Sequence, residues 1–270
     1  MAHSPYPLLV SLRVFEGGAP RAALQAVCEL GAEEFERLLQ EGIDSGRILE
    51  TQPGRYDLAP GALPAADPSE LSRARQRHCA WFAEWAAERA GRNDALESEL
   101  PNLRAGFDAA CEGPAPQDEQ VIGYAACATG VFLARRDWET ALNWLEQAAA
   151  ACERQRDDEM LARVHARIGL THCLRGSFQS GYDEYAKAAR LLESQQDRAE
   201  LAAIEGNLGL IALAIGDTRA DGHLRRSALL SAQTGSRSRE VQIVEHALVL
   251  LLSHGQDAAA SFARSRLAAA

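Results

Sequence analysis

The chain has 270 residues, 47% of them hydrophobic, and a formal net charge of −10. That length suits two domains, or one domain plus a repeat array, with a sizeable core. The acidic balance opposes binding to phosphate backbones, and no apolar run approaches the roughly 20 residues of a membrane span.

Alanine and leucine dominate while β-branched and aromatic residues are sparse, which favours helix over strand and predicts an all-α fold. No basic-plus-apolar leader opens the sequence, so a cytoplasmic location is expected. The six cysteines, Cys28, Cys79, Cys111, Cys127, Cys152 and Cys173, form no C-x-x-C pair. They are expected as small buried hydrophobes in a reducing compartment.

Residues 6–60 predict a small domain. Leu8, Leu9, Leu12 and Phe15 share helical spacing, and Gly17-Gly18 stop that helix. Ala22, Ala23, Ala26 and Val27 mark a second helix. Phe35, Leu38, Leu39 and Ile43 mark a third, ended by Gly46. Ile48-Leu49 and Tyr56-Asp57-Leu58 flank Gln52-Pro53-Gly54, which predicts a short β-hairpin. Three helices and a hairpin follow the winged-helix plan.

Residues 61–118 predict a helical linker region. Pro60, Pro64 and Pro68 mark a break, after which a helix carries Trp81, Phe82 and Trp85 towards a core. Gly91-Arg92-Asn93 interrupts it. A further helix runs from Asp94 to Cys111, tolerating Pro101 only at a helix start or a kink.

Residues 119–270 predict an internal repeat. Thr129, Gly169 and Gly209 recur at one constant interval. Gly176 and Gly216 keep that interval, and so do Ala148, Ala188 and Ala228. The units are about 119–158, 159–198, 199–238 and 239–270, the last a weaker copy with Gly255 one short of register. Each unit is expected to be a helical hairpin. A small residue in helix A lets helix B approach, a glycine at the turn takes a left-handed backbone, and a late alanine fits the next unit. Such hairpins bury their apolar faces by stacking into an α-α superhelix.

Ile168-Gly169, Gly176, Tyr185 and Ala188, with Leu208-Gly209, Gly216 and Ala228, resemble the tetratricopeptide repeat. Leu12, Phe15, Gly17-Gly18, Leu38-Leu39, Ser45 and Gly54-Arg55-Tyr56-Asp57-Leu58 resemble the winged-helix domain that follows the nucleotide-binding core of STAND-class signalling ATPases. Bacterial transcription regulators of that class carry this domain just before a tetratricopeptide sensor. Arg77-His78 followed by Trp81-Phe82, and Glu99-x-x-Asn102-Leu103-Arg104-Ala105, are similar to segments found between the two. Two departures qualify the resemblance. No Gly-x-x-x-x-Gly-Lys-Ser/Thr phosphate loop occurs, and Ala59 follows Leu58 where the family commonly places a nucleotide-sensing histidine. The resemblance therefore implies the winged-helix and repeat arm of such a regulator without its ATPase core, and no cofactor.

No nucleophile–base arrangement is visible, so no catalytic residue is assigned and no enzymatic activity is expected. His165, His172 and Cys173 lie on one predicted helix. The two histidines are two turns, roughly 10 Å, apart and cannot share a zinc ion, so no metal site is assigned. The helix that would read DNA, Ala32 to Ser45, holds Glu33, Glu34, Glu36, Glu41 and Asp44 against Arg37. Nucleic acid is therefore not an expected partner, nor is a membrane.

Counting from the repeat glycines places Leu133, Arg163, Arg167, Leu170, Leu174, Asn207, Leu210 and Leu213 on the inner groove, with Ile243, His246 and Leu250 in the fourth unit. The strip suits a protein or peptide ligand, with Arg167 and Asn207 holding its backbone. Packing of these leucines between neighbouring helices is the competing reading. The expected function is a non-catalytic regulatory or adaptor module that binds a protein or peptide. A free-standing repeat scaffold and, behind it, a winged-helix transcription regulator are the alternatives. A homodimer through the C-terminal repeat is a further expectation.

Overall fold

The computed structural model describes residues 6–62, 65–112, 116–193 and 197–234. The fourth repeat, with Ile243, His246, Leu250 and its dimer surface, lies outside them. Among the described residues the chain forms twelve helices and three short strands, and no helix is long and apolar enough to cross a membrane. They fall into two compact units, 6–89 with 94–124, and 90–93 with 125–234. The division differs from the expected three parts: residues 61–118 do not stand as a linker, because most of them pack with the N-terminal helices.

The first unit opens with α1 (Tyr6–Leu12), β1 (Ala19–Pro20), α2 (Arg21–Cys28), α3 (Ala32–Asp44), β2 (Ile48–Gln52) and β3 (Arg55–Leu58). The strands form an antiparallel sheet in the order β1-β3-β2, with Ala19 opposite Tyr56 and Ile48 opposite Leu58. Strand β1 escaped the sequence reading because it is two residues long and ends in proline, which confines it to a sheet edge. The hairpin turns at Gly54, whose positive φ of 74° suits glycine, and the Glu50 carboxylate accepts its N–H at 2.8 Å. Leu8, Leu24, Phe35, Leu38, Ile48 and Tyr56 are buried as one core. Gly42, inside α3, makes room for Ile48, which a Cβ there would overlap.

Helix α4 (Pro68–Ala87) starts where its chemistry directs. Asp67 caps it by accepting the Ser69 N–H at 2.7 Å, and Pro68 takes the first turn, where no donor is needed. Ala74, His78, Cys79, Phe82 and Ala86 form its buried face. Trp81 and Trp85 are half-buried and stacked, not fully in the core. Helix α5 (Asn93–Ser98) precedes α6 (Leu100–Cys111), so the segment carrying Pro101 breaks into two helices with the proline in the first turn of the second. Gly106 of α6 faces Tyr124 of α7 (Asp118–Arg135), and the Tyr124 hydroxyl donates to the Cys79 carbonyl at 2.7 Å.

The second unit continues α7 with α8 (Trp138–Gln155), α9 (Asp158–Leu174), α10 (Phe178–Glu193), α11 (Arg198–Ile215) and α12 (Ala220–Thr234). These are six helices in three consecutive pairs. Arg136, Gly176 and Gly216 occupy equivalent places in the three repeats and turn within the hairpins with positive φ of 57°, 87° and 72°. Aspartates the sequence reading passed over start the helices. Asp137, Asp157 and Asp197 cap α8, α9 and α11 by accepting backbone N–H groups.

Close approach of the paired helices depends on glycine. A Cβ on Gly169 would lie 2.8 Å from the Tyr185 ring and 3.1 Å from the Gly181 carbonyl, and one on Gly209 would lie 2.6 Å from Leu224. Ala148 and Ala188 are fully buried as expected, but Ala228 is exposed and Ser227 takes the buried place. The slip has a local cause. Asp217 binds the Arg219 N–H and guanidinium, and α12 begins only at Ala220, later in its repeat than α10 does in the one before.

Candidate functional site

The helix A residues of the three hairpins, α7, α9 and α11, were expected to line a partner groove. Leu133, Leu170 and Leu174 are buried, with 6%, 3% and 2% exposure. Helix α9 packs against both α8 and α10, so these leucines fill the spaces between helices. The expectation of an open strip through Leu170 and Leu174 is thereby corrected. Leu210 is half-buried and Leu213 stands 58% exposed, so among the described residues of α7, α9 and α11 the large exposed apolar side chain is at the end of α11; Leu229 of α12 is also exposed.

The polar groups are largely engaged within the unit. Arg163 of α9 meets Glu159 at 2.6 Å and Glu200 of α11 at 3.4 Å. Arg167 donates to the Ala126 carbonyl of α7 at 3.1 Å. The two arginines therefore tie consecutive A helices together. Asn207 is 2% exposed, and its Oδ1 lacks a hydrogen-bond partner among the described residues. His246 lies outside them.

Between helices A and B, two histidine–carboxylate pairs recur with their partners exchanged. In the second hairpin His165 of α9 binds Glu184 of α10 at 2.7 Å, and Lys187 joins at 2.6 Å. In the third, Glu205 takes the repeat position of His165 on helix A and binds His223 of α12 at 2.7 Å. Burial would raise the Glu184 carboxyl, but the bonds from His165 and Lys187 overcome it and hold it at about 2. His223 also meets the Tyr182 hydroxyl at 2.9 Å, and Arg226 spans Glu205 and Glu193, so the third hairpin is joined to the second. His165, His172 and Cys173 are not brought together. His165 turns to Glu184, and Cys173 is buried against Gly181, its thiol pushed up to about 12 by burial. Among the described residues no group of three or more His, Cys, Asp or Glu side chains is arranged to hold a metal ion.

In the first unit the motif residues His78, Glu99 and Asn102 meet in one buried network. Asn102 is fully buried. Its Oδ1 accepts the Glu16 N–H at 2.9 Å and faces His78 Nε2 at 3.5 Å. Its amide donates to the Gly18 carbonyl at 3.1 Å and to Glu99 at 2.8 Å. Arg55 of β3 pairs with Glu99 and donates to the Gly17 and Gly18 carbonyls at 2.8 and 2.9 Å. Arg77 adds a bond to the Val27 carbonyl at 2.6 Å and a pair with Glu29 at 3.0 Å. His78 packs between Phe15 and Phe82, and burial pushes its imidazole down to about 4. These residues fasten α4 and α6 to the β1–β3 sheet and the Gly17-Gly18 turn. Their buried polar types had no local explanation in the sequence, since most of their partners are 24 to 86 positions away.

The outer face of α3 exposes Glu33, Glu34, Glu36, Arg37, Gln40 and Asp44. Arg37 is shared between Glu34 and Glu41. Its charge is thus offset within the helix and the surface stays acidic. No protein-family model matches the chain, and a search of curated proteins returns no match.

Proposed function

We propose that the chain is a non-catalytic arm of a regulatory protein whose helical hairpins bind a protein or peptide partner. The observation that carries this reading is the repeated architecture of 125–234. Three hairpins share one register, left-handed turn residues at Arg136, Gly176 and Gly216, and arginine ties between successive A helices. Stacked hairpins of this kind present extended surfaces and owe little to any single pocket. The resemblance to the winged-helix and tetratricopeptide arm of STAND-class regulators agrees with the element order α1-β1-α2-α3-β2-β3, followed by paired helices. A DNA-reading role is disfavoured by the acidic outer face of α3.

The buried state of Leu170 and Leu174 narrows the surface that serves this function. It comprises Leu210 and Leu213 with the rim arginines Arg163 and Arg167; Asn207, buried like Leu170 and Leu174, drops out of it. Leu213 is the apolar anchor because it is a large side chain exposed on an otherwise well-packed helix. A photo-crosslinking residue placed at position 213 should join one partner, and Leu213→Asp should abolish that product without changing the helical circular dichroism. Arg163→Ala should weaken capture by a smaller factor. Partner capture that survives Leu213→Asp and maps instead to the first unit would remove the reading.

A further inference from the structure

The first unit holds a cleft of about 260 Å³ between α1, the end of α2 and the first half of α4. Val10, Ala74 and Cys28 give it apolar walls, and Ser11, Glu70 and Arg73 give it polar ones. Three features separate it from an ordinary surface depression. Ser11 is only 2% exposed, yet its hydroxyl has no hydrogen-bond partner among the described residues. The hydroxyl is not among the fully buried unpartnered side-chain atoms, so it keeps contact with the cleft it lines. Arg73 makes no ion pair among the described residues, although Glu70 lies one turn before it on the same helix and lines the same cleft. Asp67 at the helix cap is held low chiefly by the Ser69 hydroxyl and N–H, with Arg73 a minor through-space contributor that does not pair with it. Among the described residues the Glu70 side chain meets only the Tyr6 hydroxyl, at 3.1 Å, and forms no ion pair.

The other two charges of the cleft are already paired. Glu29 and Arg77 meet at 3.0 Å, and Arg77 also holds the Val27 carbonyl. The free wall therefore presents one cation and one anion that do not neutralise each other. A simple anion placed there would face Glu70, and a simple cation would face Arg73. A ligand carrying both charges a short distance apart satisfies both, and an apolar substituent on it would cover Val10, Ala74 and Cys28. We propose that this cleft binds a free α-amino acid with an apolar side chain, its carboxylate on Arg73, its ammonium on Glu70 and its polar head within reach of the Ser11 hydroxyl. A molecule the size of leucine suits the volume, which falls just below the range of about 300–1,000 Å³ usual for larger ligands. The proposal is independent of partner binding by the repeats.

Calorimetric titration of the full chain with L-leucine, leucinamide and 4-methylpentanoate tests it. Leucinamide lacks the carboxylate and 4-methylpentanoate lacks the ammonium, so each should bind at least about tenfold more weakly than leucine. Arg73→Ala should weaken leucine by a similar factor while leaving leucinamide unchanged. Glu70→Gln should narrow the gap between leucine and 4-methylpentanoate. Arg73 is exposed, so the variant retains the fold, which circular dichroism checks. Saturating leucine should also slow alkylation of Cys28, read by mass spectrometry, and leave Cys111 unaffected. Absence of leucine binding at about 10 mM overturns the proposal. Equal affinity for the three probes overturns it too, as does unchanged leucine binding by Arg73→Ala.

Discussion

Asn102 in the first unit and Gly169 in the second each sit where elements meet, and for opposite reasons neither is replaceable. Asn102 is surrounded by donors and acceptors from the Gly17-Gly18 turn, α4 and α6, and it satisfies them. Gly169 has no side chain, and the Tyr185 ring and the Gly181 backbone occupy the space one would need. The first unit joins dissimilar elements once and uses a specific polar centre to fix their arrangement. The second joins like elements repeatedly, with close apolar packing at each crossing and peripheral ion pairs that vary from one junction to the next. Regular packing can be copied from one repeat to the next. A buried hydrogen-bond network cannot, because each partner is a particular group in a particular place.

The largest effect should follow from opening the polar centre. Asn102→Leu keeps the volume but leaves the Glu16 N–H without its acceptor, and the Gly18 carbonyl and Glu99 with Arg55 alone. A stranded group costs about 1–3 kcal/mol and a lost bond to a group that keeps another partner about 0.5–1.5 kcal/mol, so a loss of about 2–4 kcal/mol is expected. Hydrogen exchange should show it in α4, α6 and β3, with α9 and α10 still protected. Uniform loss of protection across both units would mean that they unfold together.

The same centre should give the first unit an acid sensitivity. Burial holds the His78 imidazole at about 4 against an ordinary 6.5. Because the folded pKa is depressed, the contribution is fully present above pH 6.5. Below that the unfolded chain binds a proton that the folded chain refuses, and stability falls until about pH 4. The integrated loss is about 3 kcal/mol. Denaturant unfolding of the wild type and of His78→Phe, followed by exchange in α4, should show a pH slope in this window that the variant lacks. An identical slope in both proteins would place the acid sensitivity elsewhere.

The contrast between the units also explains what the sequence disclosed. The hairpins of 119–238 were legible because the physical demand recurs: a small residue at the crossing and a left-handed turn residue, at one spacing. Even so, the register failed locally. Ala228 is exposed because Asp217 and Arg219 delay the start of α12. Burial of Leu170 and Leu174 was not legible, since periodicity assigns a face to a helix but not the distance to the next helix. In the first unit the helices followed from apolar spacing. The roles of Arg55, His78, Glu99 and Asn102 did not, because residues far apart in sequence supply the other half of most of their bonds. The cleft residues Ser11, Glu70 and Arg73 carry no motif at all.

In the second unit, Gly169→Leu should cost about 1–3 kcal/mol or more, since the added side chain meets a fully buried Tyr185 and a backbone carbonyl that cannot rotate away. The loss should centre on α9 and α10. Gly209→Leu should cost a comparable amount: the Leu224 side chain is half-buried and can yield, but its backbone nitrogen, 3.2 Å from the added Cβ, cannot. Wild-type unfolding midpoints for both variants would show that the helix crossings do not depend on these glycines.

The smallest effect tests whether the turns obey one rule. Gly176 and Gly216 adopt φ of 87° and 72°, while Arg136, at the equivalent place in the first hairpin, adopts 57°. A left-handed backbone costs a residue with a Cβ roughly 1–2 kcal/mol, and glycine avoids most of that cost. Gly176→Ala should therefore destabilise by about 1 kcal/mol. Arg136→Gly should stabilise, by less than about 1 kcal/mol, because the arginine brings contacts of its own and glycine adds freedom to the unfolded chain. The two variants move in opposite directions only if the three turns are equivalent positions of one repeat. Chemical denaturation of each, monitored through the tryptophans for Arg136→Gly and through exchange in α9 and α10 for Gly176→Ala, reads the signs directly. A destabilised Arg136→Gly would show that the first hairpin is held by its arginine and does not share the turn geometry on which the repeat is based.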